Sequence, residues 1–207
     1  MKYTKVISIQ NQIGDFLSRI AFPQLWMLIT FFIFYTYPSA FAQENQKFKE
    51  FALGYSIVHE RLPEGYNYTP LFFNYIQTVY SFSSKKNARL SILFEPQFVI
   101  NDAPQNFPTT FEFGVNLGFQ YYIPLSSKNA LRLSIGVGPH YLSLDTEIQA
   151  KGFIFSDNFE VGYYQRLTQQ WYLGLKTRFR HLSNAGLQSP NIGVDNFFFM
   201  LGINRQF

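Results

Sequence analysis

Cysteine is absent from the 207-residue chain. That excludes disulfides, a thiolate nucleophile and any cysteine-based metal site. Charge is scarce too: Asp, Glu, Lys and Arg make up 14% of the residues, well below the usual share in soluble domains. The formal net charge is +4, and no basic cluster of the kind that tracks phosphates occurs, so nucleic acid is not an expected partner. Mean hydropathy is −0.07, too low for a bundle of membrane helices. What is abundant is aromatic: Phe, Trp and Tyr account for 20% of the chain. Many aromatics at near-neutral hydropathy fit strands that alternate apolar and polar residues, as those of a transmembrane β-barrel do.

The one long apolar run, "FPQLWMLITFFIFYTYP", follows Lys2, Lys5 and Arg19 and precedes "SAFAQENQ". Ala40 and Ala42 make the small-x-small pattern of a signal-peptidase site, with cleavage expected after Ala42. A retained anchor is the competing reading, but the apolar core falls short of the roughly 20 residues a spanning helix needs. Residues 1–42 are therefore expected to be a removed signal peptide, and 43–207 a single domain.

Past Gln43, period-2 alternation recurs. In "TFEFGVNLGFQYYIPL", Phe111, Phe113, Val115, Leu117, Phe119, Tyr121 and Ile123 share one face, while Glu112, Asn116 and Gln120 lie on the other. Eight such segments are expected, over 48–59, 69–82, 88–101, 110–124, 130–143, 152–166, 170–183 and 194–207. "SSKKN", "SSKN" and "LTQ" read as tight turns, alternating with longer connections near 60–68, 102–109, 144–151 and 184–193. Short turns on one side and long loops on the other is the layout of outer-membrane barrels. The fold class is all-β: an eight-stranded antiparallel transmembrane β-barrel of the bacterial outer membrane. Glycines and polar side chains on the second face suit its filled interior. A soluble lipocalin-like barrel would have to hide the Phe, Tyr and Leu rows in a small lumen.

Against this frame the stretch "RFRHLSNAGLQSPNIGVDNFFF" stands out. In the seventh segment the apolar row Trp171, Leu173, Leu175, Thr177, Phe179 continues in parity to His181 and Ser183. In the eighth, Asp195 shares the parity of Phe197, Phe199, Leu201 and Ile203. All three polar residues therefore project outward, towards lipid, on the long-loop side. If the hairpin register is centred on Gln188, His181 faces Asp195, with Cβ atoms roughly 4.5–5.5 Å apart. A Ser–His–acid relay needs imidazole between hydroxyl and carboxylate, and a slip of one residue would turn Asp195 inward. Two readings stand at this point. Strand-end polar residues are ordinary, and an HxS spacing is weak by itself. Yet polar groups on a lipid-facing wall are costly unless used.

The stretch "HLSNAGLQSPNIGVDNF" closely resembles the C-terminal signature of the outer-membrane lipid A 3-O-deacylases, the PagL family, with its His-x-Ser-Asn motif and an acid twelve residues after the serine. The resemblance is specific over roughly 180–200 and elsewhere rests on barrel architecture. It implies Ser183 as nucleophile, His181 as general base and Asp195 as the group that orients the imidazole. It further implies Asn184 and the Gly186 backbone N–H as oxyanion donors. The best-known members use glutamate as the acid, one methylene longer than Asp195. The implied substrate is lipid A of lipopolysaccharide in the outer leaflet, with outer-membrane lipid as the surroundings, no cofactor or metal, and a homodimer left open.

His59 and His140 lack a neighbouring serine and acid and are read as structural. Lys176, Arg178 and Arg180 are expected to pair with interior carboxylates such as Glu112 and Glu160, and Trp171, Tyr163 and Tyr172 to serve as interface aromatics. Competing functions are an esterase acting on phospholipid or another acylated lipid, and a non-catalytic structural barrel.

Overall fold

The computed structural model describes residues 47–59, 61–83, 89–103 and 107–207. The expected signal segment, and the "SSKKN" turn apart from Ser83, lie outside them. Eight strands follow one another: β1 (Phe48–His59), β2 (Leu71–Ser83), β3 (Arg89–Asn101), β4 (Thr110–Pro124), β5 (Asn129–Leu142), β6 (Gly152–Arg166), β7 (Trp171–Ser183) and β8 (Val194–Gln206). Each pairs antiparallel with its sequence neighbours, and β1 pairs with β8 to close the barrel. Every boundary falls within two residues of the segment expected from alternation.

Burial follows the same period of two. Along β7 the exposed or half-exposed Trp171, Leu173, Leu175, Thr177 and Phe179 alternate with buried Tyr172, Gly174, Lys176, Arg178 and Arg180. Tyr172 thus faces the lumen, so the expectation of an interface aromatic there is wrong; its parity with Lys176 governs. Trp171 and Tyr163 do face outward.

The lumen is filled by charge. Glu50, Glu95, Glu112 and Glu160 are buried against Arg132, Lys176, Arg178 and Arg180, four of each sign. Arg180 Nη1 lies 2.9 Å from Glu112, Arg178 Nη2 2.6 Å from both Glu95 and Glu160, and Lys176 Nζ 2.6 Å from Glu50 and 3.2 Å from Glu160. The expected partners Glu112 and Glu160 are present, joined by two more that reach in from β1 and β3. Sealing the long-loop mouth is an apolar cluster of Leu62, Tyr68, Leu142, Ile154, Leu182 and Val194.

Candidate active site

β7 and β8 form a hairpin across loop 184–193, and its register places His181 opposite Asp195. This is the register centred on Gln188. His181 Nδ1 lies 2.6 Å from Asp195 Oδ1, with the two side chains 36% and 58% exposed on the outer wall. The aspartate therefore spans the gap to the imidazole without glutamate's extra methylene. Ser183 is two residues on along β7, on the same face and half-exposed.

The intervening residues hold this face still. Leu182 and Val194 are ladder partners, both fully buried in the apolar cluster at the mouth. The chain alternates between an inward apolar anchor and an outward polar group, so packing of the core fixes where the polar groups point. Below them the outer wall returns to hydrocarbon character, first with the Phe179–Phe197 pair and then Thr177 opposite Phe199. An apolar hollow of about 600 Å³ lies further down the same strands, among Tyr55, Leu175, Thr177 and Phe199.

Loop 184–193 is built from its own amides. The fully buried Asn184 accepts a hydrogen bond at Oδ1 from the Gly186 N–H (3.0 Å) and donates through Nδ2 to the Gln188 carbonyl (3.0 Å). Its backbone N–H donates to Asn191 Oδ1 at 2.6 Å. The two expected oxyanion donors thus hold the turn together in this structure. Loop 143–151 is zipped to it: the Ala150 N–H donates to the Pro190 carbonyl and the Ile192 N–H to the Ile148 carbonyl, at 2.9 and 2.8 Å. Leu187 and Ile192 protrude from it with 67% and 71% exposure.

Two residues that the sequence analysis passed over belong to the site. Gly193 has φ of +94°, and a Cβ there would sit 2.6 Å from His181 Cε1 and 2.9 Å from the Leu182 carbonyl. Only glycine leaves room for the imidazole edge. Asp157, on the outward face of β6, is the ladder partner of His181 on its other side. One row across β6, β7 and β8 thus reads Asp157, His181, Asp195. A carboxylate in the otherwise apolar row of Phe153, Phe155, Phe159 and Tyr163 was the available signal.

The other histidines stand apart. His140 is buried in the lumen, with Nδ1 2.6 Å from Glu112 Oε1 and Nε2 2.9 Å from Asn116 Oδ1. His59 pairs with Asn196 in the β1–β8 ladder.

In chemical terms the outward row can move a proton. With Nδ1–H donating to Asp195, His181 presents Nε2 as a base on the face that bears a hydroxyl. Among the described residues, no group of three or more His, Cys, Asp or Glu side chains is placed to hold a metal ion.

Comparison with known proteins adds the lineage. No curated protein matches the sequence. Among solved structures, the outer-membrane enzyme PagL superposes with a TM-score of 0.56 at 14% identity, covering 75% of this chain and 97% of that one. Neisserial surface protein A superposes with a TM-score of 0.52 at 10% identity, covering 79% and 98%. At such identities the likeness shows a shared fold, that of outer-membrane barrels. The model of the family described as "Lipid A 3-O-deacylase (PagL)" matches residues 29–204. The chain belongs to the lipid A 3-O-deacylase (PagL) family and is a β-barrel of the bacterial outer membrane.

Proposed function

We propose that the protein is a serine esterase that removes the 3-O-linked hydroxyacyl chain from lipid A, with Ser183 as nucleophile, His181 as general base and Asp195 as the orienting acid. The observation that carries this reading is the 2.6 Å His181–Asp195 contact on the lipid-facing wall, with Ser183 beside it on the same face. A soluble ester would have no reason to be met there; an ester presented sideways from the outer leaflet would.

Ser183 Oγ attacks the ester carbonyl as His181 Nε2 takes its proton. Asp195 holds the ring in the tautomer with Nδ1–H and stabilises the imidazolium. Collapse of the tetrahedral adduct expels the sugar alkoxide, which takes that proton from His181, and leaves an acyl group on Ser183. Water, deprotonated by the same nitrogen, then releases the 3-hydroxy fatty acid and restores the serine. Asn184 and the Gly186 N–H are the proposed oxyanion donors. For Gly186, the oxyanion has to replace Asn184 Oδ1 as acceptor, which couples acyl transfer to a rearrangement of the turn. The freed chain would lie along the apolar rows below the site. The protein is expected to reach the membrane after cleavage behind Ala42.

The test is a substrate profile. Purified full-length barrel in mixed micelles is expected to release 3-hydroxy fatty acid from lipid A, and little acyl chain from phosphatidylethanolamine. Faster cleavage of phosphatidylethanolamine would make it a phospholipase with the same machinery, and hydrolysis of neither would contradict an esterase.

A further inference from the structure

β7 and β8, which bear the candidate triad at one end, form with β1 a second outward cluster at the other. Lys49 of β1 and Arg205 of β8 are direct ladder partners, and Arg205 also faces Trp171 of β7. All three share the outward parity, and both cations are exposed. Direct neighbours on one face have Cβ atoms roughly 4.5–5.5 Å apart, where like charges repel. Neither is ion-paired to a carboxylate side chain among the described residues. Instead Arg205 lies over the rings of Phe207 (4.9 Å) and Trp171 (5.6 Å), and Lys49 over Phe207 (5.6 Å). Arg205 Nη2 also donates to Gln170 Oε1 at 3.4 Å.

The position of this row across the membrane follows from the strand geometry. From His181 to Trp171 is ten residues of β7, roughly 33 Å at about 3.3 Å each. Tilted by about 40°, that is roughly 25 Å along the membrane normal, the height of the apolar band of such barrels. If His181 and Asp195 mark the outer edge of the hydrocarbon, Trp171, Arg205 and Lys49 mark the inner one.

Charge at the two ends is opposite in sign. At the short-turn end the described residues include Lys47, Lys49, Arg89, Lys128, Arg166 and Arg205, and the only acid near that level, Glu50, is turned inward onto Lys176 and Arg132. The remaining described acids are in the lumen or at the long-loop end. The inner edge of the barrel is thus an electropositive collar, and its Lys49–Arg205 pair is the place where two cations converge on one face beside an aromatic platform.

We propose that Lys49 and Arg205, framed by Trp171 and Phe207, form a binding site for the headgroup of an anionic phospholipid in the periplasmic leaflet. A phosphate between the two cations would relieve their repulsion and accept hydrogen bonds from both, while the rings lie at headgroup depth. Each Lys or Arg near an anionic lipid surface adds affinity worth about fivefold, so the pair accounts for roughly 25-fold.

The test is native mass spectrometry of the folded, full-length protein in detergent, titrated with phosphatidylglycerol or phosphatidylethanolamine. Wild type should bind phosphatidylglycerol at least tenfold more tightly, unaffected by millimolar inorganic phosphate. K49Q/R205Q should lose roughly 25-fold and fall to the phosphatidylethanolamine level, while K128Q, which alters the collar away from the pair, keeps wild-type binding. Heat-modifiable gel mobility confirms folding of each variant, and R205Q alone, with about a fivefold loss, serves if the double variant misfolds. Equal affinity of wild type for the two lipids would overturn the site, as would unchanged binding in K49Q/R205Q or R205Q. A loss in K128Q as large as in K49Q/R205Q, or displacement by free phosphate, would do so too.

Discussion

Gly193 shows how a single residue can set the geometry of this site without contributing an atom to the chemistry. Its φ of +94° is one an L side chain rarely adopts, and its missing Cβ is the space that the His181 ring edge occupies. Neither the glycine nor its neighbours announce this in the sequence, because the contact runs diagonally across the hairpin from one strand to the start of the next. Gly193→Ala is expected to push the imidazole off its position against Asp195. Misplacement of that kind lowers turnover on the order of 10²-fold, while the barrel still folds; steady-state rates on micellar lipid A, alongside heat-modifiable gel mobility, check both halves. Asp195 illustrates the converse, a residue whose position was legible. Its parity and its distance from Gln188 place it opposite His181 from sequence alone, and the 2.6 Å contact is found there. The same arithmetic on the neighbouring hairpin, centred on Gln169, brings Asp157 to the other side of His181. That residue was equally legible, as the one carboxylate in the outward row Phe153, Phe155, Phe159 and Tyr163.

At the scale of the element, the β7–β8 hairpin ties the candidate triad to packing. The period of two that sends His181, Ser183 and Asp195 outward sends Leu182 and Val194 into the apolar cluster at the mouth. Leu182→Ala should cost about 2–5 kcal/mol, the range for a large-to-small change at a fully buried site. Urea unfolding of the refolded barrel in detergent is the check, and a midpoint unchanged from wild type would mean that the cluster is not what holds the hairpin. Strand bounds and facing were legible because most strands keep one simple alternation; β2 departs from it at a bulge between Thr78 and Tyr80, where Val79 and Tyr80 are both exposed. Tyr172 was the exception, misread as an interface residue although it shares the inward parity of Lys176. The zipper between loops 143–151 and 184–193 was not legible, since its hydrogen bonds join backbone atoms of two irregular segments with no pattern in their side chains.

For the whole molecule, the charged lumen is the structural counterpart of the greasy wall. Four carboxylates and four cations are buried together, and each acid serves partners on other strands. Glu160 faces both Lys176 and Arg178; Glu50 and Glu95 would still pair those cations, but Glu160→Gln would leave the buried cluster with one uncompensated positive charge, at a cost of about 3–5 kcal/mol. A drop of that size in unfolding free energy, with Ser183 chemistry intact in the surviving folded fraction, is the expected result. From sequence, an inward row of Lys176, Arg178 and Arg180 demanded acids, and Glu112 and Glu160 could be named. Glu50 and Glu95 share the inward parity of their strands but were not named, and their pairings, like that of Glu112 with Arg180, cross the lumen, where no hairpin register relates the two strands.

Whether the outward serine does chemistry on the membrane around it decides the proposed function. Mass spectrometry of lipid A from cells expressing either the wild-type protein or Ser183→Ala is the most direct measurement. Loss of one 3-hydroxyacyl group with wild type, and intact lipid A with a Ser183→Ala barrel folded to the same level in the outer membrane, is the predicted result. The same loss of that acyl group with Ser183→Ala would contradict the account.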